Sequence, residues 1–180
     1  MNTYISLLRG INVSGKNSIK MDALKNSFAQ LGFQDIKTYI QSGNIIFRYK
    51  KEDPQKLAAR IKEQIQYDFS FDVPVQVFSF DKFKQLVAGN PFAAESSKDS
   101  AFMHVTLLAA APESPDISAI ETKKAAGEEI VISGDAVYLY CPNGYGRTKL
   151  NNNFLESKLK VSATTRNWKT TLKLLELASA

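Results

Sequence analysis

The stretch Ile40–Phe47 (Ile-Gln-Ser-Gly-Asn-Ile-Ile-Phe) predicts two short strands joined by a Ser-Gly turn, and a second version of it follows later in the chain. The second version is Val131–Tyr138, Val-Ile-Ser-Gly-Asp-Ala-Val-Tyr. In both, apolar residues flank a Ser-Gly pair and a short polar residue, and the glycine tolerates the positive φ of a hairpin turn. Upstream, Ile5–Leu8 has a counterpart in Val105–Leu108. The repetition indicates that one structural unit occurs twice.

The elements around the first Ser-Gly turn predict an α+β unit. Gly32 is expected to end the first helix, and Asp81 to cap the third. Hydrophobic spacing predicts strands at Tyr4–Leu8, Ile36–Ile40, Ile45–Tyr49 and Val73–Phe78, and helices at Met21–Leu31, from Pro54 and after Asp81. The order β-α-β-β-α-β with an appended helix is that of a ferredoxin-like fold, in which two helices cover one face of a four-stranded antiparallel sheet.

The same order restarts in the second half of the chain. The polar segment 90–100 predicts a linker between residues 1–89 and residues 101–180. Strands are predicted at Phe102–Leu108, Ile130–Ile132, Val137–Tyr140 and Val161–Thr165, and helices at Ile117–Ala125, at Leu150–Leu159 and from Trp168. We therefore expect two tandem ferredoxin-like subdomains that arose by internal duplication.

Composition excludes several kinds of chemistry. The chain has 180 residues with a single cysteine, Cys141, and a single histidine, His104, so neither an internal disulfide nor the usual Cys/His zinc site can form. His104 begins an apolar run, and a structural or surface position is favoured over a catalytic triad. Cys141 is expected to pack as a small apolar residue. No apolar run approaches membrane-spanning length, and we expect a cytoplasmic protein without a cofactor.

The net charge of +5 is unevenly distributed. Residues 1–20 carry three basic side chains and no acidic one, and residues 142–180 carry seven basic against two acidic side chains. Both regions could face an anion. The alternative is a solvated helix surface, which is favoured for Lys158, Lys160 and Lys173.

The loop after the first strand differs sharply between the two halves. Arg9–Asn17 contains two glycines, two basic residues and several small polar ones, whereas its counterpart is Ala109–Glu113. A loop of the first kind, leading into a helix, can turn backbone N–H groups toward an anion. It is not a Walker A loop, because Lys16 is followed by Asn17. The alternative is a surface loop whose glycines only turn the chain.

The loop after the third strand differs in the opposite sense. Asn143–Lys149 is rich in glycine and basic residues, whereas Lys50–Pro54 in the first half is not. Taking the first and third strands as parallel neighbours, we expect both enriched loops at the same sheet edge. The Ser42-Gly43 turn and Arg166 are then expected at the opposite edge. The alternative to an anion site at residues 143–149 is a loop whose glycines only let the chain turn as it leaves the hairpin.

The segment Thr164–Trp168 is the last polar motif. A threonine can cap the final helix, which would put Arg166 and Asn167 in its first turn. Arginine is disfavoured at the positive end of a helix dipole, so Arg166 indicates a nearby anion or carboxylate. Trp168 has helical spacing with Leu172 and Leu175, which favours core packing over base stacking.

Four motifs of the chain are polar or glycine-containing segments that recur together in one family. They are Leu7–Val13, Tyr39–Asn44, Gly146–Leu150 and Ala163–Trp168. Over residues 3 to about 178 the chain resembles that bacterial family, called domain of unknown function 1697, which often has glycine where Ser14 stands here. The resemblance implies a two-subdomain α+β protein with a repeated ferredoxin-like unit and no known activity.

Three functions fit these observations. The first is binding of a phosphorylated or anionic ligand, either a nucleotide or a nucleic-acid backbone such as RNA. The second is an enzyme acting on such a ligand, although the loops lack Asp, Glu and His to serve as a general base. The third is a structural module that associates with proteins, for example as a homodimer. The candidate ligand-binding residues are Arg9, Asn12, Lys16, Gln41, Asn44, Arg147, Lys149, Arg166 and Asn167. Depending on how the halves pack, they form one site or two.

Overall fold

The computed structural model describes all 180 residues, Met1–Ala180. It contains eight strands, six α-helices and two 3-10 turns, at Ser100–Phe102 and Tyr145–Arg147. The strands are β1 Asn2–Leu8, β2 Gln34–Tyr39, β3 Asn44–Tyr49, β4 Val75–Ser79, β5 Met103–Leu108, β6 Glu129–Ser133, β7 Ala136–Tyr140 and β8 Ala163–Asn167. The helices are α1 Met21–Gln30, α2 Pro54–Phe69, α3 Phe80–Ala88, α4 Ile117–Lys123, α5 Asn152–Leu159 and α6 Trp168–Ser179.

The strands form two four-stranded antiparallel sheets, in the orders β2-β3-β1-β4 and β6-β7-β5-β8. The predicted α+β class is therefore confirmed. By contacts, the chain divides into a first unit, Met1–Gln85 with Leu174–Ala180, and a second unit, Leu86–Lys173. The subdomain boundaries predicted from the sequence stay a prediction. No helix combines the length and the apolar character needed to cross a membrane.

The core of the first unit lies between its sheet and helices α1 and α2. Phe33 stacks on Phe47 with ring centroids 4.2 Å apart, and Phe28 of α1 meets Phe47 edge-on at 5.6 Å. Helix α2 begins where Asp53 accepts a hydrogen bond from the Gln55 N–H (2.9 Å), which satisfies a donor that the first helical turn leaves open. Alternate strand residues face this core, and the residues between them face away from the two helices.

The core of the second unit packs β5, β7 and β8 against α4 and α5. A hydrogen-bond chain crosses this face: the hydroxyls of Thr106 and Thr165 lie 2.7 Å apart, and Thr165 donates to Asn152 Oδ1 at 2.7 Å. Asp116 and Asn151 cap the two helices by accepting backbone N–H bonds. Buried hydroxyls thus satisfy one another between β5, β8 and α5.

The expectation that the first and third strands of each unit are parallel is wrong. β1 pairs with β3 antiparallel, as β5 does with β7. A helical crossover makes β1 and β2 run the same way, and the hairpin then reverses β3. The loops that follow β1 and β3 therefore lie at opposite ends of the sheet. The Ser42-Gly43 turn, which precedes β3, lies at the same end as the loop after β1.

The two Ser-Gly turns are not equivalent in structure. Leu7 pairs with Asn44, and Leu107 pairs with Ala136, so the two Ser-Gly pairs differ by one residue in register. The first hairpin has a four-residue loop, Ile40–Gly43, whereas the second has only Gly134 and Asp135 between its strands. The similarity of the two sequence stretches therefore does not extend to the geometry of the turns.

The polar segment before the last helix also differs from expectation. Arg166 and Asn167 end β8 and are not in a helical turn, and α6 begins at Trp168. Asn167 is the cap, because its Oδ1 accepts the Thr170 N–H at 2.8 Å. Asp81 likewise lies inside α3, where Ser79 Oγ accepts the Lys82 N–H at 3.3 Å.

Trp168 is buried, as expected, but the buried stripe of α6 does not include Leu172. That side chain is 44% exposed and Leu174 is buried instead, whereas Ala178, which has the same helical spacing as Trp168, is buried as expected. The helix therefore turns a different face inward from the one that its leucine spacing predicted.

Candidate functional site

The loop Arg9–Lys20 lies at the end of the first sheet, beside the turn Ile40–Gly43. The Leu8 N–H donates to the Gly43 carbonyl (2.8 Å), and the Arg9 N–H donates to the Pro74 carbonyl (3.0 Å). This loop is twelve residues long, whereas the corresponding loop of the second unit has eight, 109–116. We call the loop Arg9–Lys20 and the turn Ile40–Gly43 together the basic sheet end.

Asn12 ties the two parts of the basic sheet end together. Its Nδ2 donates to the carbonyls of Ile19 (3.0 Å) and Gln41 (2.8 Å), and its Oδ1 accepts the Ile19 N–H (2.8 Å). Asn12 has φ +53°, a left-handed conformation that asparagine tolerates better than most residues. One side chain thereby closes the long loop and binds it to the turn.

Asn44 organises the turn from within. Its side chain is fully buried, and its Nδ2 donates to the Tyr39 carbonyl (3.1 Å) and to Ser42 Oγ (2.8 Å). Ile40 has φ +48°, an outlying conformation for a β-branched residue, and its side chain is 52% exposed. The hydrogen bonds of Asn44 help to hold this strained turn.

Left-handed residues recur along the loop between Arg9 and Lys20. They are Gly10, Asn12, Ser14, Gly15 and Asn17, with φ between +48° and +78°. When left-handed residues are interspersed with others, successive backbone N–H groups converge and form concavities that suit anions. The side chain of Lys16 is exposed, as is that of Lys20, and no acidic residue lies within the loop.

In the second unit, the loop Asn143–Lys149 follows β7 at the end of the sheet where β5 begins. Tyr145 stacks on His104 with ring centroids 4.5 Å apart, and both rings are partly buried. Arg147 and Lys149 are exposed. His104 is a neighbour of this loop that the sequence did not reveal, since forty residues separate it from Tyr145 and the contact arises only from strand pairing.

A buried carboxylate anchors the same loop. Thr148 Oγ1 donates to Glu128 Oε2 at 2.6 Å, and Cys141 Sγ lies 4.0 Å from the same oxygen. Burial raises the pKa of the Cys141 thiol to about 11, with a further contribution from the Glu128 charge. Cys141 is therefore a protonated, packed thiol at neutral pH rather than a nucleophile.

Arg166 and Asn167 lie at the end of the second sheet that carries the loop Asn143–Lys149, so the expectation that Arg166 lies at the opposite end from this loop is wrong. Asn167 pairs with His104 across the strands, and Arg166 pairs with Val105. Neighbouring strand residues face opposite sides of a sheet, so Arg166 points away from the face that holds His104 and Tyr145. Burial lowers the pKa of the Arg166 guanidinium to about 10, which leaves it charged at neutral pH.

The predicted site residues therefore fall into two groups. In the first unit the basic sheet end and the start of β3 bring together Arg9, Asn12, Lys16, Gln41 and Asn44. In the second unit Arg147, Lys149, Arg166 and Asn167 share one sheet end. Asn12 holds the loop, Asn44 holds the turn and Asn167 caps α6. Structure alone therefore explains why these three residues are polar. No group of three or more His, Cys, Asp and Glu side chains is arranged to hold a metal ion.

We expect the single histidine to titrate below its ordinary pKa of 6.5, because burial disfavours the charged imidazolium. A hydrogen bond to the Phe102 backbone raises the pKa of His104, but burial has the larger effect. The unfolded chain takes up a proton first as pH falls, so the folded state loses stability as pH drops below about 6.5. One-dimensional proton NMR, in which a single histidine signal appears, measures the midpoint.

The variant Tyr145→Ala should raise that midpoint toward 6.5, because it exposes the His104 ring to water. Tyr67→Ala, which removes a tyrosine that is 85% exposed in the first unit, is the matched control and should leave the midpoint unchanged. A wild-type midpoint at or above 6.5 would contradict the burial of the imidazole.

The chain thus has two four-stranded sheets of the same strand order, with a long basic loop after β1. The chain belongs to the family described as Protein of unknown function (DUF1697), whose profile matches residues 1–138. A similar solved structure is that of the conserved bacterial protein SP0830 from Streptococcus pneumoniae. The two chains are 24% identical, with a TM-score of 0.75, and the match covers 98% of each, so they share a fold. No curated protein matches the chain.

Proposed function

We propose that the chain binds a phosphorylated ligand, a nucleotide or a nucleic-acid backbone, at the basic sheet end of the first unit. One observation carries the proposal. The first unit lengthens two loops relative to the second, and these loops lie at the same sheet end and are tied together by Asn12. The fold itself does not need either longer loop, because the second unit has the same sheet order with shorter connections.

The chemistry of this end supports an anionic ligand. Backbone N–H groups in a loop rich in left-handed residues supply directed donors, and Lys16 and Lys20 supply charge. The Asn12 hydrogen bonds hold the loop before a ligand arrives, which reduces the entropy lost on binding. We place a second contact of the same ligand class at the loop Asn143–Lys149, where Arg147 and Lys149 are exposed.

We also propose that both units are copies of one ferredoxin-like fold. Equivalent backbone hydrogen bonds support this. The Leu8 N–H donates to Gly43 and the Leu108 N–H to Asp135, at 2.8 and 2.9 Å. The next residue in each unit donates to the segment before the fourth strand, from Arg9 to Pro74 and from Ala109 to Ser162. We therefore infer that the two units share one backbone framework, to which the first unit has added longer loops.

The binding test is a fluorescence-polarisation titration with a labelled single-stranded RNA and a labelled nucleotide at two salt concentrations. We expect affinity to fall as salt rises, because phosphate contacts release counterions. The double variant Lys16→Gln, Lys20→Gln should weaken binding about tenfold and flatten the salt dependence. The control is Lys51→Gln, which removes an exposed charge at the opposite end of the same sheet. Salt-independent binding, or an equal effect of the control, would reject the proposal.

A second candidate function is an enzyme that acts on the same kind of ligand. The observation in its favour is that His104, neutral at pH 7 because burial lowers its pKa, stacks on Tyr145 within the glycine-rich loop. A neutral imidazole beside basic residues can act as a general base. Turnover of a nucleotide or RNA that His104→Gln abolishes while binding persists would support catalysis. The same turnover in wild type and variant would refute a role for His104.

A further inference from the structure

A cleft of about 370 Å3 lies on the first sheet, on the face turned away from α1 and α2. Ile46 and Arg48 of β3 and Lys37 of β2 line one side, and Leu177 and Ala178 of α6 line the other. All belong to the first unit. The volume is at the small end of the range for ligand pockets, which suits a small molecule. None of the residues of the basic sheet end lines it.

Charges in this cleft are only loosely engaged by the protein. Arg48 Nη1 lies 3.4 Å from Asp35 Oδ2, and both side chains are about half exposed or more. Lys37 Nζ reaches the Leu177 carbonyl at 3.5 Å, the outer limit of a hydrogen bond. Exposed contacts of such length contribute little to stability. A ligand can therefore take their place without a large loss.

The backbone of β2 is distorted at Asp35, whose carboxylate lines the cleft. A register shift lies between Gln34 and Lys37, and Asp35 within it has φ +51°. β-Bulges re-aim side chains and recur beside binding sites. Asp35 lies within this distorted stretch and lines the cleft next to Arg48.

We propose that this cleft binds a free aliphatic α-amino acid. The ligand carboxylate pairs with Lys37 and Arg48, and the ligand ammonium pairs with Asp35. The ligand side chain rests on Ile46 and Leu177. An α-amino acid carries both charges on one carbon, which matches a cleft where a guanidinium and a carboxylate lie 3.4 Å apart beside an apolar wall. Arginine can take the ligand carboxylate in a bidentate geometry, which adds orientation to charge.

The test is a two-dimensional amide NMR titration of the full chain with L-leucine. We expect saturable shifts at the amides of Lys37, Ile46 and Leu177. Three probes each lack one recognised feature: leucinamide lacks the carboxylate, 4-methylpentanoate lacks the ammonium, and glycine lacks the aliphatic part. Each should bind at least tenfold more weakly than leucine. Leucinamide binding as tightly as leucine, or no saturable shift with any probe, would overturn the proposal.

Variants assign the charges separately. Arg48→Gln should weaken leucine binding at least tenfold, and Asp35→Asn should weaken binding of leucine but not of 4-methylpentanoate. The matched control is Lys62→Gln, which breaks a different exposed ion pair of the first unit, Lys62–Asp72 (3.1 Å). Arg48→Gln should leave RNA binding unchanged, so a failure here is distinct from a failure of the phosphate site. Unchanged leucine affinity in Arg48→Gln would refute the assignment.

Discussion

Gly43→Ala should destabilise the chain by about 3 kcal/mol. Two costs add up: alanine would have to adopt a left-handed backbone conformation, and its Cβ would overlap with neighbouring atoms. Gly43 has φ +85°, and a Cβ at this position would lie 2.6 Å from Leu8 Cβ and 3.1 Å from the Leu8 carbonyl oxygen. Neither neighbour can move without disturbing β1, because both are close to the backbone. We expect the midpoint of thermal unfolding, followed by far-ultraviolet circular dichroism, to fall by about 6–12 °C.

The matched control is the glycine of the second Ser-Gly pair. Gly134 also has a positive φ, +59°, but a Cβ there would have no atom within 4 Å. Gly134→Ala should therefore cost only the conformational penalty, about 1 kcal/mol. The difference between the two variants isolates the steric term. Equal effects would mean that the chain relaxes around residue 43.

Asn12→Ala should destabilise the chain by about 2–3 kcal/mol and loosen the basic sheet end. It removes three hydrogen bonds and leaves the N–H of the buried Ile19 without its acceptor. Asn17→Ala is the control, because Asn17 has a similar φ of +48° and loses one exposed hydrogen bond, to the Gly10 carbonyl. That loss should cost about 1 kcal/mol. Urea denaturation measures the free energy of unfolding of both variants.

The same pair of variants tests whether loop order matters for binding. If the phosphate site depends on a loop held in advance, Asn12→Ala should weaken RNA or nucleotide binding at a temperature where the chain remains folded, and Asn17→Ala should have a smaller effect. Amide hydrogen exchange across residues 9–20 would report the loosening directly. Protection that is unchanged in Asn12→Ala would argue against the role assigned to that side chain.

Local features were predictable from the sequence where one residue decides the structure. Pro54 after Asp53 marked the start of α2, and Gly32, with φ +81°, followed the end of α1. Short apolar runs, several of them continuous rather than alternating, located every strand to within a few positions. The length and the charge of the loop after β1 were also visible in the sequence, since Arg9–Lys20 contains three basic residues and no acidic one.

The features that failed have different causes. The direction of β3 relative to β1 already followed from the predicted order, because a helical crossover keeps β1 and β2 in one direction and the hairpin reverses β3. A wrong assumption about that direction put the Ser42-Gly43 turn at the wrong sheet end. The start of α6 depended on whether Asn167 or a threonine acted as the cap, a choice between residues of similar capping preference. The His104–Tyr145 stack joins residues from β5 and the loop after β7, which no local pattern connects.

The chain contains one tryptophan, one cysteine and one histidine, and each is buried or partly buried in the second unit. Trp168 fluorescence, thiol labelling of Cys141 and the His104 resonance therefore all observe the same half of the molecule. Loosening of the basic sheet end, which belongs to the first unit, would be silent in all three signals. Tryptophan placed by substitution at Tyr67, whose side chain is 85% exposed, would give the first unit a reporter of its own.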